Sequence, residues 1–162
     1  MNGAQYLQES AARMAADGSA VTWVPLRGGV VLMGYQSEFR IQWAASKLHL
    51  FTAAVSVPVA TPEIVTSFAR EVGQYAKATK GRLRGLQTGV ATIPAVVAEV
   101  VTPQARADVE KAPGREFGAF CLPVVVDLAD RAVYSFPGTA FWGVLFVPWL
   151  RKRLAAAFPP PG

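Results

Sequence analysis

The chain has 162 residues, of which 52% are apolar and 17% are charged. This length is enough to bury a core, and the apolar fraction excludes a disordered chain. A single cysteine, Cys121, excludes an internal disulfide framework. It indicates a reducing, intracellular compartment, either the cytoplasm or an organelle such as the mitochondrion.

The net charge of +5 comes from two short basic runs. The residues of the two runs are Lys77, Lys80, Arg82 and Arg84, and then Arg151, Lys152 and Arg153. The rest of the chain carries a slight acidic excess, so the basicity is local. Such clusters are typical of phosphate contact, and equally of helix C-termini, where cations meet exposed carbonyls. For residues 77–84 the helix-end interpretation is preferred.

The first half of the chain is predicted to form a helix and then a series of strands. The helix covers 3–17, and the strands cover 21–26, 30–35, 39–43 and 48–59. The glycine pair at 28–29 predicts a hairpin turn between the first two strands. Pro58 places the end of the last strand at a sheet edge or a bulge, because proline lacks the N–H of a ladder hydrogen bond.

The second half is predicted to alternate helices with strands. Thr61-Pro62 and Thr102-Pro103 each indicate a helix start, since threonine caps free amides and proline is tolerated in the first turn. The elements that follow are a helix ending near Gly81, a strand over 89–101, a short helix, a hairpin of 117–128 with 132–136, and a helix over 139–158. Pro148 predicts a kink in that last helix.

The sum is an α+β fold. Its mixed, mainly antiparallel sheet contains an N-terminal meander, a later strand and a C-terminal hairpin, and about three to four helices cover one face. Residues 1–138 are predicted to form a single domain. Residues 139–162 are predicted to form an aromatic and basic helix with a proline-rich tail, packed on the domain or on a partner. The two Thr-Pro passages fit either two βα crossovers or an internal duplication. We prefer the interpretation that both helices use the same capping dipeptide without having arisen by duplication.

Reactive side chains are few. A zinc site needs four ligands drawn mainly from Cys and His, and the chain has one of each, so neither a metal nor a cofactor is expected. His49 is predicted to be structural, and Cys121, in an apolar run without a basic sequence neighbour, to be an inert thiol. No pattern places the strand acids Glu38, Glu99 and Asp127 together. These residues favour a non-catalytic protein.

The longest uncharged segment, 132–150, leads directly into the second basic run. Its strongly apolar part covers only 140–150, about 16 Å of helix and roughly half of a bilayer core. A core helix is therefore preferred to a membrane-surface helix, and both to a spanning one. Residues 1–17 lack the basic region and apolar core of a signal peptide.

Three functions remain open. The leading one is a non-catalytic accessory or structural subunit, or a protein-interaction module, of a homo- or hetero-oligomeric assembly, at other protein subunits or at a membrane surface. Its predicted contact residues are Phe141, Trp142, Phe146, Trp149, Arg151, Lys152 and Arg153. The second is a nucleic-acid-binding module that uses the basic run at 77–84. The third is a small enzyme that binds a phosphorylated ligand at the glycine-spaced loop 81–89.

Overall fold

A computed structural model describes residues 1–26, 28–41, 46–80, 88–112, 115–116, 119–138 and 146–162. Within these residues the chain forms four helices and an eight-stranded mixed sheet. The elements are α1 Gly3–Ala16, β1 Ala20–Leu26, β2 Gly29–Arg40, β3 Ser46–Ala60, α2 Pro62–Lys80, β4 Thr88–Val101, α3 Pro103–Glu110, β5 Arg115–Glu116, β6 Ala119–Cys121, β7 Val124–Asp127, β8 Ala132–Ser135 and α4 Val147–Ala157. The predicted α+β fold, with a mainly antiparallel mixed sheet, is confirmed.

The strand order is β1-β2-β3-β4-β6-β5, and β7 pairs with β4 and β8. The first three strands form the predicted antiparallel meander. The prediction of separate strands over 30–35 and 39–43 is wrong, because β2 runs without a break from Gly29 to Arg40. β4 is parallel to β3, β6 and β7, so α2 and α3 are the helices of two βα crossovers. The threonine hydroxyls cap both helices as predicted: Thr61 accepts from the Ile64 N–H at 3.4 Å, and Thr102 accepts from the Ala105 N–H at 3.2 Å.

Prolines mark where the sheet is interrupted. The pairing of β3 with β2 ends at Ala54, so Pro58 lies on a locally free edge, as predicted. Pro94 lies inside the central strand β4, where β4 changes its partner from β6 to β7. The registers on either side of this change agree, which places Pro94 opposite Pro123. Because neither residue can donate a ladder hydrogen bond, β6 and β7 are separate strands.

Helices cover both faces of the sheet, and the prediction of a single covered face is wrong. On one face, α1 and α4 pack Tyr6, Met14 and Trp149 against the sheet. On the other face, α2 and α3 pack Phe68 and Val109. Successive residues of β4 alternate between the two cores. The continuous apolar run over 89–101 is therefore the pattern of a strand buried on both sides.

The C-terminal helix packs on its own domain. α4 begins at Val147, so Pro148 lies in the first turn, where it is tolerated, and the predicted kink is wrong. The Tyr6 hydroxyl donates a hydrogen bond to the Pro159 carbonyl at 2.7 Å, and burial raises the pKa of Tyr6. At the other end of α1, Arg153 forms an ion pair with Asp17. α4 therefore runs in the opposite direction to α1.

Candidate interaction sites

Two basic segments that are distant in sequence lie at one end of the sheet. α2 leads from the C-terminal end of β3 back to the N-terminal end of β4, which brings Lys77 and Lys80 to the edge where the parallel strands begin. α4 starts near the same edge, because the indole N–H of Trp149 donates to the carboxylate of Glu38 in β2. Arg151 follows within one turn. The two segments lie on opposite faces of the sheet.

The end of β2 adds apolar side chains to this edge. Ile41 is 79% exposed and Phe39 is 58% exposed. Phe39 lies directly opposite Lys47 in the antiparallel register of β2 and β3, so the ring and the ammonium-bearing chain share one face of the sheet. We call this region the basic edge, and its described residues are Phe39, Arg40, Ile41, Lys47, Lys77, Arg151 and Lys152.

Among the residues that the structure describes, the basic edge carries more bases than acids. The Glu38 carboxylate accepts hydrogen bonds from Arg40 and from the Trp149 indole. The opposite end of the sheet has the reverse balance among described residues: the acids are Glu63, Glu99, Asp108, Asp127 and Asp130, and the bases are Arg106 and Arg131. Charge is therefore separated along the strand direction.

The predicted C-terminal contact residues are largely engaged within the molecule. Trp149 is 5% exposed and belongs to the core beneath α4. Phe146 is half-buried and packs against the same core. Arg151 donates to the backbone carbonyls of Phe136 and Gly138, the former at 3.3 Å. Lys152 is exposed.

Some of the remaining predicted contact residues lie at the basic edge, and the others lie outside the residues that the structure describes. Phe141 and Trp142 lie outside the described residues, as do Arg82, Arg84 and most of the 81–89 loop. Of the predicted anion contacts, Lys77 is half-buried in α2, and Lys80 is the last residue of that helix. The structure thus brings Lys77 and Lys152 to the same edge of the sheet.

A row of side chains crosses the sheet beneath the C-terminal half of α2. Tyr35, Phe51, Thr92 and Cys121 are successive cross-strand neighbours on β2, β3, β4 and β6. His49, only 4% exposed, lies beside this row, and its Nδ1 is 2.8 Å from the Tyr35 hydroxyl oxygen. The burial and the hydrogen bond of His49 agree with its predicted structural role.

In the folded chain Cys121 has a basic neighbour, Lys77, which is distant from it in sequence. Burial raises the pKa of the Cys121 thiol, while hydrogen bonding with Thr92 and the positive charge of Lys77 act in the opposite direction. Because burial is the largest effect, the thiol stays protonated near neutral pH, and the thiolate is the reactive form. The raised pKa agrees with the predicted inert thiol.

The strand acids Glu99 and Asp127 lie far from His49. His49 lies opposite Val90, whereas Asp127 lies opposite Ala98 near the other end of β4, about 26 Å away at 3.3 Å per residue. The Asp127 carboxylate accepts the Ala129 and Asp130 N–H groups, each at 3.0 Å, and so stabilises a turn. Within the described part of the chain, no three His, Cys, Asp or Glu residues are grouped as metal ligands.

Comparison with known proteins finds no family model, no curated protein and no solved structure that matches this chain. Among the helices that the structure describes, none has the length and apolar character needed to cross a membrane.

Proposed function

We propose that this protein is a non-catalytic interaction module that attaches through its basic edge to the surface of an anionic phospholipid membrane, as an accessory component of a larger assembly. The observation that carries the proposal is the exposure of Phe39 and Ile41 beside Lys47, at the same end of the sheet as both basic segments. Peripheral attachment needs two contributions, apolar insertion and electrostatic attraction, and this edge offers both.

The magnitudes support a reversible attachment. Full burial of a Phe or Ile side chain contributes about 1.5–3 kcal/mol, and each lysine or arginine near an anionic bilayer contributes about 1 kcal/mol. The separation of charge also favours one orientation, since the acidic end of the sheet is repelled by the surface that attracts the basic edge. The protein would stand on the membrane with its strands pointing away from it.

An exposed isoleucine favours a membrane over a nucleic acid as the anionic partner. Single-stranded nucleic acids bind to basic grooves in which aromatic side chains stack on bases. Ile41, the most exposed large apolar side chain among the described residues, has no such role, whereas the boundary of a bilayer accepts aliphatic and aromatic groups alike.

The proposal predicts that Lys47→Glu weakens binding to phosphatidylglycerol vesicles roughly 30-fold, because reversing one charge near the surface costs about 2 kcal/mol. The measurement is co-sedimentation with vesicles of graded phosphatidylglycerol content. Arg131→Glu is the matched control, because Arg131 is exposed and lies in the turn between β7 and β8, at the acidic end of the sheet. It should change binding by less than about threefold, as an effect of net charge alone.

Two results would overturn the proposal. One is equal binding to phosphatidylglycerol and phosphatidylcholine vesicles, which would remove the role of charge. The other is an equal loss of binding in Lys47→Glu and Arg131→Glu, which would remove the role of the basic edge. Tighter binding of a single-stranded oligonucleotide, with vesicles failing to compete at the same salt concentration, would establish the nucleic-acid alternative.

A further inference from the structure

β1 forms one edge of the sheet, and of the usual features that prevent strand pairing at an edge its sequence carries a single proline, Pro25, and no charged residue. Among the described strands it pairs with β2 alone. Its sequence, Ala20–Leu26, contains no charged residue, and Trp23 at its centre is 40% exposed. Edge strands are usually protected by charged side chains, bulges or covering elements, because their open N–H and C=O groups pair readily with another strand.

Pro25 determines which groups of β1 face outward. Proline has no N–H, so in a regular ladder it occupies a position whose N–H would point away from the neighbouring strand. Pro25 pairs with Val30 of β2, so these two residues form a pair without ladder hydrogen bonds. Since this property alternates along a strand, Val21 and Trp23 also direct their N–H and C=O groups away from β2. The open edge therefore offers two donors and three acceptors.

We propose that a second copy of this chain pairs with β1 in antiparallel register centred on Trp23, so that one sheet runs through both copies. In this register Trp23 exchanges two hydrogen bonds with Trp23 of the second copy. Val21 lies opposite Pro25, and its N–H donates to the proline carbonyl, once at each end of the interface. Pro25 has no N–H to donate, and it lies opposite Val21, whose N–H is available to donate. The strand is therefore complementary to a second copy of itself.

The distribution of charge selects a second copy as the occupant. Antiparallel pairing rotates the second copy end for end within the plane of the sheet. The basic edge of each copy then lies at the same end as the acidic end of its neighbour, which offsets the repulsion expected between two chains of net charge +5. Trp23 pairs with Leu32 on the face covered by α1, so the two indoles meet beside the exposed Val30 of each copy and add apolar contact.

The inference does not rest on the proposed function, and the two can fail separately. The end-for-end arrangement directs the two basic edges to opposite ends of the dimer. A dimer that binds anionic vesicles would therefore cluster them, whereas a membrane-binding monomer would coat them without clustering.

Sedimentation velocity of the full chain tests the inference. We expect a concentration-dependent dimer for the wild type. Val21→Pro removes only an N–H that faces away from β2, and it should raise the dissociation constant at least tenfold. Trp23→Lys places two like charges opposite each other at the centre of the interface, and it should raise the constant at least a hundredfold. Val100→Lys, an exposed apolar position distant from β1, is the control and should leave the constant unchanged.

Urea unfolding of each variant establishes that it is folded. A wild-type chain that remains monomeric at concentrations of several hundred micromolar would overturn the inference. It would also be overturned by a dimer that persists unchanged in both Trp23→Lys and Val21→Pro, since that dimer would use another surface. Loss of the dimer with retained vesicle binding would leave the proposed function intact.

Discussion

Replacing Trp149 by alanine is expected to lower the free energy of unfolding by about 3–5 kcal/mol. The indole is almost fully buried and lies in the core that joins α1 and α4 to the sheet, together with Leu150 and Leu154. Its N–H donates to the Glu38 carboxylate, so truncation also leaves that carboxylate with one donor fewer. Equilibrium unfolding in urea measures the change.

Two controls separate this structural role from the contact role predicted from sequence. Lys152→Ala changes an exposed neighbour on the same helix and should alter stability by less than about 0.5 kcal/mol. Vesicle binding by folded Trp149→Ala should match that of the wild type, since the indole does not reach the surface. Unchanged stability combined with lost vesicle binding would instead establish Trp149 as a contact residue.

Replacing Phe51 by alanine is expected to be similarly costly, at about 3–5 kcal/mol. The Phe51 ring lies 5.1 Å from the Tyr35 ring on β2 and 6.0 Å, edge to face, from the Tyr75 ring on α2. It therefore connects the meander, the central parallel pair and the crossover helix. Chemical denaturation of Phe51→Ala, compared with Phe51→Leu, measures how much of the loss comes from the aromatic contacts.

A double-mutant cycle with Tyr75→Leu tests the edge-to-face contact itself. Aromatic pairs in this geometry contribute about 0.5–1.5 kcal/mol beyond the area that they bury, so the two substitutions should be non-additive by that amount. Additive losses would show that the two rings stabilise the fold independently.

Local chemistry made the elements predictable. The glycine turn at 28–29 and the Thr-Pro caps act through neighbouring residues, so the starts of β2, α2 and α3 appear in the sequence at nearly the correct residues, whereas the end of β2 at Arg40 does not. The position of Pro148 shows the limit of such reasoning, because proline at a helix start and proline within a helix have the same local signature. Only the position of the first hydrogen-bonded turn distinguishes them.

The candidate site was less predictable, because it depends on contacts between distant segments. The exposure of Phe39 and Ile41 requires β2 to extend beyond the helices that cover the sheet, which alternation alone does not reveal. Lys77 approaches Cys121 only because α2 returns to the start of the parallel strands. Trp149 was predicted as a contact residue because its burial depends on the packing of α4 on α1, which no local pattern encodes.

The most direct test of the central claim is the environment of position 41 on a membrane. In a Cys121→Ser background, Ile41→Cys and Asp130→Cys are each labelled with an environment-sensitive fluorophore and titrated with phosphatidylglycerol vesicles. Asp130 is exposed in the turn between β7 and β8, at the acidic end of the sheet. We predict a shift to shorter emission wavelength for the label at position 41 and none for the label at position 130, since only the basic edge enters the interface. A shift at position 130, or bound protein with no shift at position 41, would contradict attachment through the basic edge.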